Sequence, residues 1–198
     1  MSDRMSLKEI ERKAWTSYFE DGLWDIFMSI MMLTTAIREF TDNAWFTFLF
    51  LAAPFLVIIG KRLITIPRLG HVKFGRFRMI RRTRMILIVI ISVVATFALL
   101  LLRNLGLGLP AISISPMVAI WIAVIFGILA HYLDFRRLYA YGLFFATSEV
   151  LWGLFGNLVG SVAFCVSGSL ALVIGLVVLV RFLRKNSLPA KGAFDAYS

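Results

Sequence analysis

Glu149 is a carboxylate in the middle of residues 138–155, a run otherwise rich in apolar and aromatic side chains. About twelve residues into a helix that rises 1.5 Å per residue, it lies on the order of 17 Å from the start, close to a bilayer midplane. A charged carboxylate at that depth is costly unless it faces protein or water. Such a group can carry a proton or bind a cationic or polar substrate. Protonated, it can instead hydrogen-bond a serine, a threonine or a carbonyl of a neighbouring helix. Ser148 beside it, with Ser161 and Ser167 further along, adds polar points that could line a route between helices.

Two other groups carry ionisable chemistry. Asp21 and Asp25 are four residues apart at the start of the first apolar run, a spacing that puts them on one helix face. Their simplest role is negative charge beside the exposed N–H groups of a helix start. Asp21 precedes Trp24, and Glu149 precedes Trp152, by three residues each, a short echo that would suit two acid-bearing helices around one cavity. His131 and Asp134, also three apart, mark a polar boundary with Arg136 and Arg137. That set fits a head-group anchor, a salt-bridge network or a polar entrance.

Neither a metal nor a cofactor is expected. The local His131–Asp134 pair supplies too few ligands for tetrahedral or octahedral coordination. The single cysteine, Cys165, excludes an intrachain disulfide and a cysteine-based zinc site, and it reads as a small packing group. No complete catalytic constellation occurs: there is no serine-nucleophile motif, no HExxH and no aspartate-rich site for magnesium and diphosphate. Enzymatic activity is left open by the sequence.

The elements that must position these residues are membrane helices. Hydrophobic residues make up 60% of the 198-residue chain, more than a soluble domain of this size could bury. The expected class is all-α, a polytopic helical membrane protein with six spans near 23–37, 44–60, 85–102, 116–130, 138–155 and 158–180. The first run follows acids instead of a basic segment and precedes further spans, so it reads as a retained helix. Gly156, Asn157 and Gly160 suit a tight hairpin between the last two spans, and a broken segment there would give five spans instead. The same residues form a GxxxG pattern, which with Gly168 and Gly175 favours close helix contacts or an oligomer. Trp24, Trp45, Trp121 and Trp152 read as interfacial anchors or packing residues.

In domain terms, residues 1–21 form an N-terminal amphipathic segment, 22–185 one transmembrane domain containing the basic loop 61–84, and 186–198 a short tail. Ser6 and Glu9 match a capping box, and Leu7, Ile10, Ala14 and Tyr18 recur at helical spacing, as in a helix lying in the membrane interface. Residues 64–74 alternate around Pro67-Arg68-Leu69-Gly70 and suggest a β-hairpin-like loop, with His71 as a solvated strand residue.

The basic loop holds nine Lys or Arg residues and no acid. Arg68, Lys73, Arg76, Arg78, Arg81 and Arg82 are its candidates for binding anionic membrane lipids or an acidic membrane-protein partner. No nucleic-acid module accompanies the charge, so nucleic acid is not an expected partner. A small multispan transporter or permease-like component is the leading functional reading. A membrane interaction or assembly factor docking through the basic loop, and an enzyme modifying lipid head groups near His131 and Asp134, are the alternatives.

With both termini cytoplasmic, as in a cell inner or plasma membrane, 19 basic residues lie inside and two, Arg38 and Arg103, outside. Single reporters at Lys73→Cys and Gly108→Cys, with Cys165 replaced, should react with an impermeant thiol reagent from opposite faces of sealed vesicles. Reaction of both from the same face would reject the six-span order.

Overall fold

The computed structural model describes residues 19–69 and 114–186, together with 80, 83–84, 86–92, 94 and 95. No strand occurs among the described residues. Helix α1 is Leu23–Thr41. After a 3-10 turn at Ala44–Phe46, α2 (Thr47–Gly60) runs on through a π-helical turn, Lys61–Thr65, and a last α-turn, Ile66–Leu69. Helices α3 (Ile114–Leu133), α4 (Arg137–Phe155) and α5 (Asn157–Lys185) follow. Residues 86–92, inside the third expected span, are also helical. The capping box, most of the amphipathic segment, residues 70–79 with Lys73, Arg76 and Arg78, Arg81, Arg82 and the C-terminal tail from 187 lie outside the described residues.

Four helical stretches are long and apolar enough to cross a membrane: Phe48–Leu69, Pro116–Leu133, Arg137–Phe155 and Asn157–Lys185. Their large apolar side chains, among them Phe55, Ile120, Leu143 and Val173, stand exposed, as lipid-facing residues must. The chain is a membrane-embedded helical protein. Four of the six expected spans are thus present as helices of spanning length. Helix α1 has the length but carries Asp25, Arg38 and Glu39, which lower its apolarity.

The expected hairpin at 64–74 is corrected over its described half. Residues 64–69 prolong α2, and 70–74 lie outside the described residues. Alternation around Pro67 suggested strands, but the side chains of Lys61 and Thr65, four apart, are both claimed by one carboxylate, which favours a helical course. The π-turn widens the backbone just before Pro67, whose ring and missing N–H would break an ordinary α ladder.

The chain divides into two compact units. The first takes the described parts of residues 1–34, 43–73 and 168–198, and the second those of 35–42 and 74–167. In the first, α1 packs on α5 through glycines. A Cβ on Gly175 would stand 2.9 Å from the Ile26 nitrogen, and one on Gly168 would stand 3.1 Å from the Leu33 nitrogen. Both pairs are seven residues apart and run in opposite directions along the chain, so the two helices lie antiparallel. Small residues let the backbones approach where lipid offers no hydrophobic driving force for association. Gly22 tightens the same contact from the start of α1. Its φ of +81 suits glycine alone, and a Cβ there would meet the Gly175 oxygen at 2.5 Å.

In the second unit, α3 and α4 pair as a helical hairpin. The turn between them is a helix C-cap of the Schellman type. Asp134 has φ 53, its N–H donates to the His131 carbonyl at 3.4 Å, and the Phe135 N–H donates to the Ala130 carbonyl at 3.1 Å. Gly156, at φ +86, separates α4 from α5. Gly160 is already helical and touches Trp152, and the Phe145 and Phe164 rings stack across the hairpin at 5.9 Å. The glycines of the GxxxG pattern therefore divide the work: Gly156 turns the chain and Gly160 lets the helices close.

Replacing Gly175 by alanine should destabilise the detergent-solubilised protein by about 1–3 kcal/mol, because the new methyl overpacks against Ile26 and Asp25. Gly127→Ala, which meets nothing within 4 Å, should be neutral or slightly stabilising. Equal melting shifts for the two variants would contradict this packing.

Candidate functional site: a buried ion pair at the start of helix α1

The first unit holds a charged pair almost entirely removed from its surface. Asp21, Asp25 and Ser29 expose nothing, Thr65 exposes nothing, and Lys61 exposes 5%. Asp21 stands just before α1. Gly22 accepts the first helical bond, from the Ile26 N–H at 3.1 Å, so the Asp21 carboxylate lies over the helix start. Its Oδ1 accepts the Leu23 N–H at 3.1 Å, satisfying one of the backbone donors that a helix start leaves open. The expected role of an acid at a helix N-terminus is thus present, although Asp21 precedes the helix and does not form part of its face.

The other oxygen does something the spacing of acids did not reveal. Asp21 Oδ2 accepts from Lys61 Nζ at 2.6 Å and from Thr65 Oγ1 at 2.7 Å. The ammonium also lies 5.6 Å from the centroid of the Phe19 ring, within cation–π range. Phe19 packs against Trp24, and Trp24 meets Phe27 edge-on at 5.6 Å. Carboxylate, ammonium and hydroxyl satisfy one another inside an aromatic and aliphatic wall, which is how an ion pair survives removal from water. Lys61 therefore does not act as the first free charge of the basic loop, as its place in 61–84 suggested; its charge is matched by Asp21.

Asp25 and Ser29 continue the stripe one and two turns along α1, both fully buried. Ser29 Oγ and Trp24 Nε1 are buried without a hydrogen-bond partner among the described residues. Gly175 of α5 lies directly against this stripe, since a Cβ there would stand 3.1 Å from the Asp25 Cβ. Lys61, Thr65 and Ser29 were not singled out by the sequence reading. The signal for the first two was a lysine and a threonine four apart, directly after the apolar run that ends at Gly60, and for Ser29 it was the i+4 step beyond Asp25.

Glu149 belongs to the second unit, where it is half-buried on α4. Its neighbour Ser148 is buried, with its Oγ 3.4 Å from the Ser167 Oγ of α5. Glu39, near the end of α1 and in the same unit, is close enough for its negative charge to act on Glu149. The Arg38 guanidinium lies 3.9 Å from Glu39.

The residues of the boundary group serve the turn between α3 and α4. His131 is exposed, and its carbonyl takes the Asp134 N–H in the helix cap. Arg137 lies over the Phe135 ring at 5.1 Å, while Arg136 is exposed. Of the basic set proposed for lipid contact, Arg68 is described, and its Nη1 donates to the Ile64 carbonyl at 3.0 Å.

Removing one member of the buried pair should expose its strength. Asp21→Asn leaves the Lys61 ammonium buried without its carboxylate and should cost about 3–5 kcal/mol in a reversible micelle unfolding titration. The double variant Asp21→Asn, Lys61→Met should recover most of that loss. Additive losses in the two single variants and the double would mean that the groups do not depend on each other.

No protein-family model matches the chain, and neither a curated protein nor a solved structure does, so the buried side chains themselves carry the functional reading.

Proposed function

We propose that the chain is a small multispan transporter or permease-like component in which ionisable groups held among the helices handle a proton or a cationic or polar substrate. The observation that carries this reading is the fully buried stripe of Asp21, Asp25 and Ser29, with Lys61 and Thr65 closing on Asp21. Packing alone would be served more cheaply by apolar side chains, and ionisable groups buried within a membrane-embedded helical protein commonly mark ion and substrate routes. Glu149 with Ser148 and Ser167, near the charge of Glu39, gives the second unit a polar group of its own.

The orientation that goes with this reading puts both termini and the basic segment on the cytoplasmic side of a cell inner or plasma membrane. The excess of basic residues in 61–84 supports it, with attraction to anionic lipid head groups as the consequence.

The reading is tested in vesicles of zwitterionic and anionic phospholipid loaded with a pH-sensitive dye and driven by a potassium diffusion potential. The native protein should acidify them faster than protein-free vesicles do. Asp25→Asn and Glu149→Gln, assembling normally, should each slow the flux roughly tenfold, equivalent to about 1.4 kcal/mol in the barrier. Native flux in Glu149→Gln together with lost assembly in Glu149→Leu would assign Glu149 to structural hydrogen bonding. A native protein no faster than empty vesicles would remove proton transport and favour a membrane assembly role.

A further inference from the structure

The two donors that meet Asp21 Oδ2 are the first and last residues of the π-turn, Lys61 and Thr65. One carboxylate oxygen therefore spans the only non-α turn among the described residues of α2 and its extension. The backbone there is already loosened. The Ile66 N–H reaches back five residues to the Lys61 carbonyl, and the next residue, Pro67, has no N–H to give. A π-turn is rare and holds one residue more than an α-turn, so it persists where surrounding contacts favour it. Asp21 supplies such contacts from a separate segment, one anchored by its own bond to the Leu23 N–H and by the close fit of Gly22 against α5.

We propose that Asp21 is the latch of a two-position hinge in α2. With the carboxylate bonded to Lys61 and Thr65, the turn is held in its π form. When those bonds are lost, the turn loses the contacts that hold its π form, and the chain after Thr65 rotates to a second position about Pro67, whose ring and missing N–H already interrupt the α ladder there. The hinge lies in the last turns of the apolar stretch Phe48–Leu69 and forms the first residues of the basic segment 61–84, so the latch sets the direction of the turn that carries Arg68. Small rotations at a bistable turn are an established way for a local charge change to move a distant surface. The hinge stands on backbone and hydrogen-bond geometry and does not depend on the transport reading.

The test places spin labels at Ile58→Cys and Leu69→Cys, on either side of the turn, in the full chain with Cys165 replaced and the protein in lipid vesicles. The latched protein should give one interlabel distance. Asp21→Asn should add a second population displaced by on the order of 5 Å, the scale of such a rotation on a helix about 10–12 Å across. Thr65→Val keeps the ion pair and removes one of the two bonds, so it should show the same second population in smaller amount. It also serves as the folded variant should Asp21→Asn fail to assemble. Gly127→Ala, remote in sequence and in the other unit, should leave the distribution unchanged. A single unshifted distance in folded Thr65→Val, or in folded Asp21→Asn, overturns the hinge.

Discussion

A carboxylate withdrawn from water must have its charge and lone pairs met by the protein, and Asp21 meets that condition with three donors from two segments of chain. The Leu23 N–H binds it to the start of α1, while Lys61 and Thr65 bind it to the far end of α2. Desolvating both charges is expensive, and their attraction repays the cost only when geometry and additional hydrogen bonds are good. The short contacts and complete burial of Asp21 satisfy both requirements. Much else in the first unit follows from this demand. The turn at Gly22 brings Asp21 over the helix start, the π-turn brings Lys61 and Thr65 to one oxygen, and Phe19 closes over the ammonium.

Where the first unit is organised by charge, both units are closed by small residues. Gly22, Gly168 and Gly175 let α1 and α5 meet at backbone distance, and Gly142 and Gly160 do the same beneath Phe126 and Trp152. In a membrane the surrounding lipid is as apolar as the side chains, so close backbone contact and buried polar bonds must do what the hydrophobic effect does in water. The two devices adjoin at Gly175, which sits against both Ile26 and Asp25. A buried stripe of ionisable and hydroxyl groups held by such close packing is consistent with a positioned route for a charged or polar substrate, the reading proposed for this chain.

The membrane class and four of the helices were legible in the sequence, because apolar run length is a one-dimensional signal. The hairpin between α4 and α5 was legible too, since Gly156 is needed where φ turns positive. The Asp21–Lys61 pair was not. Its partners are forty residues apart, and local reading gave each a sufficient separate explanation: helix-start charge for the acid, topogenic charge for the lysine. The β-like alternation at 64–69 misled for a related reason, because period two near a proline records nothing of the carboxylate that claims Thr65 from outside the segment. His131 and Asp134 read from their three-residue spacing as a side-chain pair, whereas the contact between them is a backbone bond of a helix cap, which the same spacing also serves.

The account rests on a direct contact between Asp21 and Lys61 inside the membrane-embedded protein. Solid-state NMR in lipid bilayers can measure it, using the dipolar coupling between a labelled Asp21 side-chain carboxyl carbon and a labelled Lys61 Nζ. The structure, with Nζ 2.6 Å from Oδ2, predicts strong dephasing that is abolished in Asp21→Asn through loss of the pair. A native sample with no measurable coupling, and a Lys61 nitrogen signal unchanged by Asp21→Asn, would contradict it.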